Sequence, residues 1–185
     1  MSRRALALLA PLALLPGGCV STPDAATPIA QAETPRFDPF VFFLGPSRGE
    51  GVLDKVLSDP VAVAVESRGR IMIARHHQAS WDAPDTRLLV LDQTVREEGK
   101  PPRERQWRLT EIAPGRYEGS LTDAIGPVTG RAEGNRLVLE YRMEGSFKVR
   151  QELTLSEDGT RAHNVLKVSQ LGVTVAVLVE DIVRG

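Results

Sequence analysis

Ser146-Phe147-Lys148-Val149-Arg150-Gln151-Glu152-Leu153-Thr154-Leu155 is a strand written in period two. Phe147, Val149, Leu153 and Leu155 share one face, while Ser146, Lys148, Arg150, Glu152 and Thr154 share the other. An extended chain sends successive side chains to opposite sides, so such a segment sits half in oil and half in water. The same period recurs along the chain. Leu137, Leu139 and Tyr141 oppose Arg136, Glu140 and Arg142; Trp107 and Leu109 alternate with Gln106, Arg108 and Thr110. Val173, Val175, Val177 and Val179 carry the alternation into the last strand. Further strands are predicted over residues 51–57, 61–66, 70–77, 88–96, 116–121 and 161–169.

Turn chemistry separates these runs: Ser58-Asp59-Pro60, Ser67-Arg68-Gly69, Gly99-Lys100-Pro101-Pro102, Ala113-Pro114-Gly115, Glu133-Gly134-Asn135 and Glu157-Asp158-Gly159. No segment carries a helical stripe of ten or more residues, and a short helix over residues 39–44 is the most that the pattern allows. The chain is therefore all-β, an antiparallel meander forming a barrel or a sandwich. With about ten strands, a sheet that is polar on one face can close on itself and enclose its apolar side chains. A membrane-spanning barrel is excluded by the short strands and by the leader described next.

Arg3 and Arg4 precede an uncharged apolar run, residues 5–15, too short to cross a bilayer that needs roughly twenty residues. This is the layout of an export signal. Ser2-Arg3-Arg4 fits a twin-arginine signal poorly because of Ala5 and Leu6. The run ends in Leu14-Leu15-Pro16-Gly17-Gly18-Cys19, and Cys19 is the only cysteine, so no intrachain disulfide is possible. Residues 20–36 hold Pro23, Pro28 and Pro35 among small and polar residues without apolar periodicity, the composition of a disordered tether. The expected layout is a signal segment over 1–18, Cys19 and its tether over 19–36, and the barrel over 37–185. Removing the leader leaves 21 basic against 24 acidic residues, a net charge of −3 with no footprint for nucleic acid.

Gly17-Gly18-Cys19 after an apolar run resembles the lipobox of bacterial lipoproteins, with Pro16 where leucine is usual. That resemblance implies lipidation of Cys19, cleavage before it, and anchoring by several acyl chains. Val20, in place of the aspartate that retains such proteins at the inner membrane, implies the periplasmic face of the outer membrane. The body resembles a family of bacterial lipoproteins catalogued as a domain of unknown function, number 3833. The residues that carry this are Phe42-Phe43-Leu44-Gly45, Gly49-Glu50-Gly51, Leu89-Val90-Leu91-Asp92, Arg105-Gln106-Trp107-Arg108-Leu109, Gly115-Arg116-Tyr117-Glu118-Gly119, Asp123, Gly126, Gly134-Asn135, Tyr141 and Gln170-Leu171-Gly172-Val173. The chain departs from the family at Gln93, Arg150-Gln151-Glu152-Leu153 and Asn164. The resemblance implies a lipocalin- or calycin-like β-barrel and brings no activity with it.

No constellation points to catalysis. His76 and His77 would face opposite sides of a strand, and His163 is distant, so no metal site is expected. Ser80, His77 and Asp82 supply the residue types of a hydrolase without an elbow or an oxyanion hole. Arg105, Arg108, Arg116, Arg136 and Arg142 are assigned to outward faces as partners of Glu104, Glu118 and Glu140, with recognition of an acidic head group or a peptidoglycan carboxylate as the alternative. Asp123 is assigned to an Asx turn, and Gly126, Gly130 and Gly134 to turns and bulges. Trp81 is assigned to a barrel end. The inward set Trp107, Leu109, Tyr117, Leu137, Leu139, Tyr141, Phe147 and Val149 is the candidate wall of a ligand cavity, with ordinary core packing as the alternative. The expected role is non-enzymatic: a lipid-anchored envelope barrel, without cofactor, that binds or carries a hydrophobic molecule. The competing expectation is a solid module that docks an envelope partner.

Overall fold

The computed structural model describes residues 28–74 and 86–185. The leader, Cys19, and the segment with His76, His77, Ser80, Trp81 and Asp82 lie outside the described residues. A one-turn helix α1 (Pro39–Phe42) precedes ten strands: β1 (Gly45–Lys55), β2 (Val61–Ala74), β3 (Thr86–Glu97), β4 (Arg103–Ala113), β5 (Arg116–Leu121), β6 (Val128–Glu133), β7 (Arg136–Met143), β8 (Phe147–Leu155), β9 (Arg161–Gln170) and β10 (Val173–Arg184). Each strand pairs antiparallel with its sequence neighbours, and β1 pairs β10, with Leu53 opposite Leu178, which closes the barrel. Closure leaves no free sheet edge.

The strand count agrees with the sequence pattern, but two assignments differ. Residues 61–74 form one strand, where Ser67-Arg68-Gly69 predicted a turn. Gly69 is needed for another reason: a Cβ there would stand 1.7 Å from the Phe43 carbonyl oxygen, so the glycine admits the crossing backbone. Conversely, β6 runs through Gly130, which reads as a turn in sequence; a Cβ there would press on Leu139 and Tyr117. In β10 the valine row lies on the opposite face from the cavity, with Val177 and Val179 buried there. The inward residues are Ala176, Leu178, Glu180 and Ile182, set by pairing of Leu178 with Leu166 and Glu180 with Asn164.

The two ends of the barrel are built differently. At the end holding the β4–β5, β6–β7 and β8–β9 turns, Phe37, Phe40, Phe42 and Phe43 are buried as a plug. Asp38 caps α1 by accepting from Phe40 N at 2.8 Å, and Phe37 N donates to the Gly134 carbonyl at 2.8 Å. The Phe42 and Phe43 rings meet edge-on at 4.9 Å, and Phe40 lies 6.2 Å from Tyr117. Buried Asn135 ties the entering chain down: its Oδ1 accepts from Ala32 N at 2.8 Å and its Nδ2 donates to the Ala30 carbonyl at 3.0 Å. The packed body thus starts a few residues before Phe37. The other end, with the β1–β2, β3–β4, β5–β6, β7–β8 and β9–β10 turns, carries no comparable plug among the described residues.

Candidate ligand-binding cavity

The unplugged end opens into a cavity of about 240 Å³. Its walls are mostly aliphatic, among them Leu53, Val63, Val95, Leu121, Val149, Leu166, Val168 and Leu178, because these are the inward positions of seven strands near one end. Ion pairs ring the mouth. Glu97 receives Lys55 at 2.5 Å and Lys100 at 2.8 Å, and Arg103 lies 3.6 Å from Asp123. Partial burial works against ionisation of Glu97, but hydrogen bonds from Lys100 and Lys55 outweigh it and hold the carboxyl below its ordinary range. Asp123 therefore serves the rim through Arg103 rather than an Asx turn.

A polar layer forms the cavity floor. Gln93 Oε1 accepts from Trp107 Nε1 at 2.7 Å and from Arg105 Nε at 2.8 Å, and Gln93 Nε2 donates to Ser67 Oγ at 2.9 Å. Beneath lies a second void of about 30 Å³, bordered by Gln93, Arg105, Trp107, Gln151 and Glu180, large enough for one water molecule. Glu180 Oε2 accepts from Asn164 Nδ2 at 2.8 Å. Its other oxygen occupies the place of an absent side chain, since a Cβ on Gly49 would stand 1.8 Å from it. Gln151 Oε1 and Asn164 Oδ1 are buried without a partner among the described residues. Burial pushes the Glu180 carboxyl up, against the Asn164 hydrogen bond and the distant pull of Arg105.

This layer corrects one sequence assignment. Arg105 does not face outward; it points into the barrel and borders both voids. The pairing of β4 with β3 puts residue 105 on the face of Trp107 and Leu109. Outward arginines do pair across strands, as Arg150 with Glu140 at 2.6 Å and Arg136 with Glu152.

The eight candidate lining residues divide by height. Tyr141 and Val149 line the open cavity, and Trp107, Leu109 and Leu139 border the small inner void. Tyr117 and Leu137 border neither: both are buried, Tyr117 against Phe40, and burial pushes the Tyr117 phenol up to about 12. Phe147 borders neither void and is half-buried beside Gly145. His163 is buried, with a ring nitrogen 3.1 Å from Asp181 Oδ1. Among the described residues no three His, Cys, Asp or Glu side chains gather as a metal set.

Residues 17–180 match the model of a family described as a protein of unknown function, DUF3833. The chain belongs to that family. No curated protein matches the chain significantly. Two solved structures resemble the DUF3833 barrel. One is the S-type phycobiliprotein lyase CPES from Guillardia theta, 9% identical, with a TM-score of 0.60 over 79% of this chain and 90% of that one. The other is Rv2717c from M. tuberculosis, 16% identical, with a TM-score of 0.52 over 78% and 93%. At these identities the likeness extends to the fold, a lipocalin-like barrel.

Proposed function

We propose that this DUF3833 protein binds a hydrophobic small molecule in the open cavity and carries it without chemical change. The observation that supports this is the contrast in one barrel between a packed end and an aliphatic-walled space of about 240 Å³ behind a polar rim. Dry apolar cavities gain by filling, since their walls lack partner atoms on one side. One structural neighbour with this barrel shape is, by name, a phycobiliprotein lyase. In this reading Cys19 carries lipid and holds the protein at the periplasmic face of the outer membrane, and the chain enters the barrel at its plugged end through Ala30 and Ala32. Native mass spectrometry of the purified barrel, with uptake of a fluorescent fatty acid, tests the carrier role; an empty barrel that takes up none overturns it. Metabolic labelling with palmitate tests the anchor, and Cys19→Ser should abolish both the label and membrane retention.

One observation favours the second reading, a module that docks an envelope partner. Leu57 and Leu171 are fully exposed at turns of the open end, each with positive φ, 61° and 50°. A leucine in that conformation is strained, and its exposure gains nothing in the monomer. Cross-linking in intact cells separates the readings, because a carrier alone should show no stoichiometric protein partner.

A further inference from the structure

We propose that the open cavity takes an amphiphile with an anionic head, a short-chain carboxylate seated head-down on the Arg105 guanidinium. This rests on the reading of that cavity as the ligand site and names the chemistry of its occupant.

Arg105 stands where a fold has no use for a cation. It lies deep in the barrel, yet it keeps a share of exposed surface and borders the open cavity. Among the described residues only Nε is hydrogen-bonded, by Gln93 Oε1, which Trp107 Nε1 also reaches, and the guanidinium lies over the Trp107 ring at 5.9 Å. Among the described residues Arg105 makes no ion pair: Lys55, Lys100 and Arg103 take Glu97 and Asp123 at the rim. Glu180, across the inner void, accepts from Asn164 through Oε2 and makes no ion pair with Arg105; burial pushes its carboxyl up. The terminal Nη groups therefore carry a charge without an ion-pair partner among the described residues, in a layer where an unpaired charge is costly.

The surroundings select an anion over water alone. Ser67, Gln93 and Trp107 fix the guanidinium plane, so its fork is set before the ligand arrives. A fixed fork suits a carboxylate, which takes two parallel charge-assisted hydrogen bonds. Tyr141 borders the same cavity, its ring edge-on to Trp107 at 5.5 Å. Above the head, the walls up to the rim are aliphatic apart from Tyr141 and Met143. At about 30 Å³ per water-sized group, the cavity holds on the order of eight heavy atoms. A carboxylate of six carbons fills it, and the last carbons of an eight-carbon one reach the mouth.

Calorimetric titration of the purified protein with octanoate, 1-octanol and octylamine tests this. Octanoate should bind about tenfold or more tightly than octanol, a difference of about 1.4 kcal/mol, and octylamine should bind weakest. Arg105→Met should abolish the preference, weakening octanoate at least tenfold while octanol changes less than threefold. The carboxyl carbon of [1-13C]octanoate should stay ionised below its free pKa when bound to the wild type. Equal binding of octanoate and octanol overturns the inference and leaves the cavity reading intact. Binding of neither overturns both. If Arg105→Met does not fold, the wild-type preference and the carboxyl titration still decide.

Discussion

At one end of the barrel four phenylalanines are buried against Tyr117 and its neighbours; at the other, aliphatic side chains surround space. Both ends use the same period-two strands and the same kinds of residue. They differ in what fills the interior once the strands have closed. Four of the chain's five phenylalanines lie in the seven residues from Phe37 to Phe43, outside any strand, and they are spent on one end. The fifth, Phe147, lies near the other end, half-buried at the start of β8 and away from the cavity walls. Plugging one end and not the other turns a packed barrel into a cup.

The largest effects should fall on the plugged end. Leu137 has no exposed surface, and Leu137→Ala should cost about 2–5 kcal/mol in urea unfolding, through lost burial and the hole left behind. Val168→Ala, on the half-buried cavity wall, should cost about 1 kcal/mol or less, because part of its surface already faces space. Equal costs would show that the cavity closes up in solution. Enlargement sharpens the same contrast. Leu137→Phe should lose about 1–3 kcal/mol by overpacking, whereas Val168→Phe should change stability less and remove fatty-acid uptake. Uptake unaffected by Val168→Phe would place the ligand elsewhere.

Much of this contrast was legible in the sequence, and some was not. The alternation in residues 146–155 and 136–142 carries over directly into β8 and β7. The short helix at Pro39–Phe42 matches its expected place as well. Glycine misled in both directions: Gly69 looked like a turn and sits within β2, and Gly130 hid β6. A glycine that breaks a strand and a glycine that lets another backbone approach look the same in sequence. The polar floor was missed for a different reason. Residues 105, 107 and 109 share one parity, so Arg105 was on the inward face by count, whereas Glu180 was hidden because the valine row 173–179 marks the opposite parity as the apolar one. The charge of Arg105 argued for the outside, and ordinary solvation would have been right for most such residues. A charged residue in phase with an apolar row is thus the signal that could have located the floor.

Glu180 marks the boundary between the two ends, and its chemistry predicts a pH effect. The carboxyl is pushed up by burial, so the folded state holds the proton to higher pH than the unfolded chain does. Its contribution to stability is full below the ordinary glutamate pKa and is lost as pH rises toward the raised one. Glu180→Gln keeps an acceptor for Asn164 Nδ2 and cannot ionise. The variant should match the wild type near pH 4 and exceed it near pH 8 by on the order of 1–3 kcal/mol, read from melting temperatures at both pH values. A variant that is less stable at pH 8 would mean that the ionised carboxylate is paired with Arg105 after all.

The smallest effect belongs to the plugged end's outer rim and has the opposite sign. Asp158, in the β8–β9 turn, accepts from Ser156 Oγ at 2.6 Å and from Thr160 N and Oγ1 at 3.0 and 2.8 Å. These bonds lower its pKa from 3.8 to about 2. Here the folded pKa is depressed, so the stabilisation is present above the unfolded value and fades as pH falls from about 4 toward 2. Asp158→Asn retains one acceptor oxygen but no charge, and Asp158 is exposed to water, so the loss at neutral pH should be slight. Melting curves of the variant and the wild type should differ a little at pH 6 and converge near pH 2. Glu180→Gln should diverge from the wild type over the upper pH range, where Asp158→Asn runs parallel to it. If both substitutions act in the same pH range, the floor of the cup is as wet as its outer turns, and the low-dielectric setting of Arg105 is lost.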